Sequence, residues 1–238
     1  MIKVQDITKK YGPKTVVDAV SFQVERGEIL GLLGPNGAGK STILSIMATV
    51  LAPTGGDILI DGASVISQRK KVRRLISYVP QQLALQSTLS VLDNMKFWSG
   101  MAVTKVTKED IEKIADVINL KDRMNDKVYK LSEGMKRRLN IGIALLHDPA
   151  VLIMDEPTLG VDIRSKKEIV DFIHTLAKWN KTIVYTSHDL HEIEQLCHRV
   201  ALLNEGKLMF TGTIQEAKQT SPTPASTEKT LATLAHWW

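Results

Sequence analysis

The chain has 238 residues, 43% of them hydrophobic and 24% charged, with a formal net charge of +5. That length suits one large α/β domain or a core with an inserted subdomain. No apolar run reaches the ~18 residues of a membrane-spanning helix, the first residues lack the apolar core of a signal peptide, and Cys197, the single cysteine, excludes an internal disulfide. A soluble, intracellular protein is expected, and the mildly basic balance leaves nucleic acid, anionic lipid and nucleotide phosphate open as partners.

In chain order, Ile2, Val4 and Ile7 predict a first strand. Val16, Val20, Phe22 and Val24 predict a second, with a turn at Tyr11-Gly12-Pro13 between them. Ile29–Leu33 reads as a short buried strand, and Ile43, Leu44, Ile46 and Met47 as the apolar face of a helix. Ala52-Pro53-Thr54-Gly55-Gly56 breaks that helix, and Asp57–Gly62 is a strand and turn. Gln68–Arg74 is a basic run, expected as a solvated face, ahead of the strand Ile76–Val79.

From Ser90 to about Asp148 the pattern is helical, with starts at Ser90, at Thr107 (capping box with Asp110) and near Gly134. Strands at Val151–Met154, Thr182–Tyr185 and Val200–Leu203 then alternate with helices carrying Ile169, Phe172, Ile173 and Leu176, and Leu190, Ile193 and Cys197. Thr213 with Glu216 caps a last short helix. Residues 219–230 form a polar, proline-broken linker, and Trp237 and Trp238 close the chain. Alternating strands and helices predict an α/β fold with a parallel sheet.

Gly34-Pro35-Asn36-Gly37-Ala38-Gly39-Lys40-Ser41-Thr42 fits G-x-x-x-x-G-K-[ST], the phosphate-binding loop. Glycines let the backbone wrap an anion closely, converging N–H groups form a nest, and the helix N-terminus adds partial positive charge. Lys40 brings a full charge to the β- and γ-phosphates of a nucleotide, and the Ser41 hydroxyl can ligate Mg²⁺. Asp155 and Glu156 end an apolar strand. Beside a phosphate loop, the aspartate is placed to anchor Mg²⁺ and the glutamate to polarise the attacking water. His188 ends another apolar strand and reaches the same edge if the two strands are neighbours. Gln81 ends a third. Its amide can ligate a metal or orient water, although the residues alone favour a polar turn.

These pieces, in this order and to about residue 217, resemble the nucleotide-binding subunit of ATP-binding cassette (ABC) transporters. The most specific element is Leu131-Ser132-Glu133-Gly134-Met135-Lys136-Arg137-Arg138-Leu139, which looks like the family signature Leu-Ser-Gly-Gly-Gln. The resemblance implies a P-loop NTPase (RecA-like) α/β core with an N-terminal antiparallel β subdomain and an inserted α-helical subdomain. It implies an ATPase domain over 1–217, its helical part about 85–148, and a C-terminal linker and tail over 218–238.

The same resemblance implies site roles and partners. Tyr11 would stack on adenine, and Gln81 would sense Mg²⁺ and the membrane partner. Leu159-Gly160-Val161-Asp162 would cross a dimer interface, and His188 would be the switch histidine. Ser132 and Gly134 would meet ATP held by the phosphate loop of a second subunit. The implied cofactors are ATP and Mg²⁺, and the implied partners are a separate transmembrane permease and a homodimeric or paralogous second cassette, with no direct nucleic-acid contact. The implied location is peripheral, on the inner face of the cell membrane, and the Met-Lys-Arg-Arg-Leu continuation resembles exporters. A soluble ABC-type ATPase acting on nucleic acid or ribosomes, and a cassette that binds ATP with little turnover, are the alternatives.

Two positions depart from the signature. Glu133 replaces a glycine and Met135 a frequent glutamine. A carboxylate near a γ-phosphate repels it unless screened. Lys136, Arg137 and Arg138, expected in the first turn of a helix where cations oppose the dipole, are candidates to offset Glu133 and attract the partner's triphosphate.

Overall fold

The computed structural model describes residues 1–102 and 104–219. In chain order the strands are β1 (Ile2–Tyr11), β2 (Lys14–Val24), β3 (Ile29–Leu33), β4 (Gly55–Ile60), β5 (Ala63–Ser64), β6 (Ile76–Val79), β7 (Val151–Asp155), β8 (Thr182–Thr186), β9 (Arg199–Asn204) and β10 (Lys207–Thr213). The helices are α1 (Lys40–Met47), α2 (Arg69–Val72), α3 (Val91–Ser99), α4 (Lys108–Val117), α5 (Glu133–Leu145), α6 (Ile163–Lys178), α7 (Leu190–Leu196) and α8 (Ile214–Gln219).

Two sheets result. The first is antiparallel, in the order β2-β1-β4-β5; the second has the order β10-β9-β3-β8-β7-β6. In the second sheet β9, β3, β8, β7 and β6 are parallel, and β10 adds an antiparallel edge. The core strands β3, β7 and β8 are buried at every position, as expected where helices or a second sheet cover both faces.

Alternate residues sort to the two faces. Leu30, Leu32, Val151, Ile153 and Val184 pack with α1 and the inner face of the antiparallel sheet, against Ile2, Val4, Val20, Phe22 and Ile58. Ile29, Leu33, Leu152, Met154, Ile183 and Tyr185 pack on the other face against Ile141 of α5, Ile169 and Ile173 of α6 and Ile193 of α7. Each such side chain contributes about 1.5–3 kcal/mol.

The helical insert carries its own cluster, Val91, Met95, Ile111, Ala115, Leu131 and Leu139. Its starts are capped as the sequence predicts: Ser90 and Thr107 each form a capping box, with Asp93 and Asp110. α5 belongs to both bodies, with Leu139 in the insert's cluster and Ile141 and Leu145 in the core. The basic run lies on α2 and just after it, where Arg69, Lys70, Lys71, Arg73 and Arg74 are exposed, as expected of a solvated face. β10 was not expected from the sequence. It is an edge strand with mostly exposed residues, so burial alternation marks it weakly. Among the described residues no helix is long and apolar enough to cross a membrane. Trp237 and Trp238 and the linker from 220 onward lie outside the described residues.

Candidate functional site

The phosphate loop joins the C-terminal end of β3, at the middle of the parallel sheet, to the N-terminus of α1. Two of its glycines are required by geometry. Gly34 has φ 145°, and a Cβ there would lie 2.2 Å from the Leu203 carbonyl oxygen; Gly39 has φ 100° and would place a Cβ 2.9 Å from the Val16 carbonyl oxygen. Asn36 and Gly37 are exposed, Pro35 is half-buried and Ala38 is buried. Lys40 is buried, and its ammonium donates to the carbonyls of Gly34 (2.5 Å) and Pro35 (3.2 Å). Burial pushes its pKa down, and the charges of Glu156 and Asp155 oppose that shift. Ser41 is exposed and Thr42 half-buried at the start of α1.

The carboxylates end β7, which β8 separates from β3. Asp155 pairs with Thr186 across β7 and β8, and the Thr186 hydroxyl donates to Asp155 Oδ1 at 2.8 Å. The Thr186 hydroxyl oxygen accepts in turn from the Glu156 N–H at 3.0 Å. Tyr78 of β6 donates to Asp155 Oδ2 at 3.4 Å. Burial and then the Asp155 charge push the Tyr78 phenol up to about 12, so it remains a donor at neutral pH. Glu156 is buried and takes φ 48°, a left-handed conformation that costs a non-glycine residue about 1 kcal/mol or more. That conformation turns its carboxylate towards two residues from neighbouring strand ends. Gln81 Nε2 donates to Glu156 Oε2 at 2.8 Å, and His188 Nε2 meets Glu156 Oε1.

His188 is flanked by a network that sequence reasoning missed. Buried Glu192 of α7 accepts from Tyr185 Oη (2.8 Å) and from Ser187 Oγ. Ser187 Oγ in turn accepts from the Asp189 N–H (3.0 Å). Lys166 of α6 donates to Asp189 at 2.8 Å and lies 3.8 Å from Glu192. A cleft of about 560 Å³ opens beside these groups, lined among others by Glu156, Leu159, Gly160, Lys166 and His188.

The structure therefore brings Lys40, Asp155, Glu156, Gln81 and His188 into one electrostatic neighbourhood at the C-terminal ends of the parallel strands, the usual ligand edge of an open α/β sheet. Ser132 and Gly134 stand apart, at the N-terminus of α5. Ser132 caps it by accepting from the Met135 N–H at 3.3 Å, and Gly134 lies so close to α6 that a Cβ would be 2.4 Å from Ser165 Cβ. Tyr11 closes β1, half exposed, with the Lys9 ammonium 5.2 Å from its ring centroid.

The basic cluster divides differently from expectation. α5 begins at Glu133, so only Lys136 lies in its first turn. Glu133 is itself in that turn, where the helix dipole favours an acid, and Lys136 pairs with it at 3.3 Å. Arg138 pairs with Glu168 at 3.5 Å. Arg137 is not offered to a partner's triphosphate. It is buried and donates to the carbonyls of Gln81 (2.5 Å) and Leu159 (3.0 Å).

A phosphate loop, a strand-end acid pair and a histidine on one sheet edge define a P-loop nucleoside-triphosphatase. The family model described as "ABC transporter" matches residues 17–159, and the chain belongs to that family, as an ATP-binding and ATP-hydrolysing subunit. It is 39% identical over 215 residues to the linearmycin resistance ATP-binding protein LnrL of Bacillus subtilis (strain 168), covering 90% of this chain and 69% of that one. It is 40% identical over 214 residues to the Nod factor export ATP-binding protein I of Rhizobium etli, covering 89% and 67%. The fold matches the dimeric post-hydrolysis state of the ATP-binding cassette MJ0796 bound to ADP and Pi, with a TM-score of 0.79, 26% identity and coverage of 90% and 99%.

Proposed function

We propose that two such cassettes, identical or paralogous, close head to tail on two ATP molecules and so drive a separate transmembrane permease, in the direction of export. Each ATP is gripped by Gly34–Thr42 of one chain and by Ser132 and Gly134 of the other, with Tyr11 against the adenine. ATP binds the closed pair better than the open one and shifts the population towards closure. The chain then sits on the inner face of the cell membrane. The helical insert and the segment after Gln81 are its contact with the permease, and residues 1–217 form the ATPase domain. The names of the relatives, one for resistance and one for export, support the direction, and the dimeric cassette supports the pairing.

The residues present fit Mg²⁺: the Ser41 hydroxyl, the Asp155 carboxylate and the Gln81 side-chain amide oxygen are hard oxygen donors. When bound, the ion neutralises charge on the transferred phosphoryl group. Lys40 does the same from the loop once its ammonium leaves the Gly34 and Pro35 carbonyls. Glu156 takes the proton of the attacking water, His188 orients the carboxylate and meets the γ-phosphate, and Gln81 holds the second carboxylate oxygen.

The observation that carries this reading is the buried, left-handed Glu156 with one neighbour on each oxygen. Steady-state ATPase assay of Glu156→Gln tests it: ATP binding persists and kcat falls by about 10²-fold or more. Turnover equal to the wild type removes the base assignment.

A further inference from the structure

We propose that Arg137 is a positioning residue that ties the α5 signature helix to Glu156, so that the water-activating carboxylate takes its working place only when α5 is seated. The inference rests on the role given to Glu156 above.

Two routes lead from the guanidinium to that residue. Arg137 Nη1 donates to the Gln81 carbonyl at 2.5 Å, and the side chain of the same Gln81 donates to Glu156 Oε2 at 2.8 Å. Arg137 Nη2 donates to the Leu159 carbonyl at 3.0 Å, and the Leu159 N–H donates to the Glu156 carbonyl at 3.1 Å. One side chain thus clasps two of the segments bonded to Glu156. It comes from α5, five residues after Ser132, whose hydroxyl begins the segment proposed to meet the partner's nucleotide. A planar fork with donors at fixed separation suits two carbonyls on two different loops, and no other side chain supplies that geometry.

Stability is the weaker account of this arginine. It is 7% exposed, it is bound here to neutral carbonyls, and its Nε has no hydrogen-bond partner. A buried cation so placed costs free energy that an apolar side chain of similar length would not. Burial lowers its pKa, and the nearby Glu133 and Glu156 charges counter that. A group retained against its own desolvation is better explained by what it orients.

The test uses the full chain with Arg137→Met and Arg137→Lys, following kcat, KM, fluorescence-detected binding of trinitrophenyl-ATP, and Tm. In Arg137→Met the expected result is a fall in kcat of about tenfold or more, with the nucleotide Kd changed by less than about threefold and Tm unchanged or raised. Arg137→Lys, which reaches one carbonyl at a time, falls between the two. A kcat within about twofold of wild type in Arg137→Met overturns the proposal, as does a kcat loss matched by an equal loss of nucleotide affinity. Should Arg137→Met not fold, Arg137→Lys decides: reduced kcat at unchanged Tm supports the proposal, and wild-type kcat overturns it. Glu156→Gln keeps the two readings apart. Turnover surviving there removes the base assignment and this inference with it, whereas turnover lost there but kept in Arg137→Met removes Arg137 alone.

Discussion

Gln81 Nε2 lies 2.8 Å from Glu156 Oε2 and donates to it, while His188 occupies the other oxygen of the same carboxylate. The residue proposed to sense the membrane partner is therefore bonded directly to the residue proposed to activate water. A displacement of the segment after Gln81 moves or frees Glu156 without any change in the phosphate loop. Gln81→Ala is expected to lower kcat by about tenfold while the ATP Kd stays within about twofold. Steady-state kinetics beside equilibrium nucleotide binding checks this, and a Kd that rises as far as kcat falls argues against it.

Thr186 serves two buried groups with one hydroxyl, donating to Asp155 and accepting from the Glu156 N–H. Thr186→Val keeps the shape and takes this partner from Asp155 Oδ1 and from the Glu156 N–H, leaving Asp155 its bond from Tyr78. The expected loss of stability is about 1–3 kcal/mol, measured by urea unfolding, together with weaker Mg²⁺ dependence of the ATPase. Unfolding at the wild-type midpoint would show that the two bonds are replaced by others.

Gly134 has no room for a side chain because Ser165 of α6 stands against it. Gly134→Ala should cost about 1–3 kcal/mol through forced separation of α5 and α6, and Ser165→Gly in the same chain should return part of it. A double-mutant cycle in urea gives the coupling; strictly additive effects would mean that the helices part without resistance.

Cys197 is buried immediately after α7, and burial, followed by the charges of Glu192 and Glu28, raises its pKa. A thiol raised in the folded state contributes stability that is complete below the unfolded pKa of about 8.5 and declines as pH climbs above it. The native thiol should be silent to an aromatic disulfide reagent at neutral pH and react on unfolding. Between pH values of about 8 and 10, Cys197→Ala should lose less Tm than the wild type. Rapid native labelling, or identical Tm profiles, would contradict the burial described.

The sequence makes legible what depends on neighbours along the chain. The phosphate loop, the strand-end Asp155 and Glu156, and the caps at Ser90 and Thr107 are all local patterns, and each appears in the structure. His188 is legible as a strand end, but its meeting with Glu156 needs β7 beside β8, which periodicity alone does not state. Thr186 and Tyr78, which hold Asp155, are invisible without the register Asp155↔Thr186 and the β6–β7 pairing. Arg137 misleads the sequence argument for a physical reason: three consecutive cations at a helix start look equally free to meet a triphosphate, and only the packing of α5 on two loops reveals one of them as buried. Glu133 looks like a hazard to a triphosphate until Lys136, one helical turn on, is seen to pair with it.

The central claim is that ATP joins two of these cassettes and its cleavage lets them part. Light scattering of the 238-residue chain carrying Glu156→Gln tests it most directly. The account predicts a mass near 26.4 kDa without nucleotide and twice that in saturating Mg-ATP. A mass that stays monomeric in saturating Mg-ATP, with or without the permease present, contradicts it.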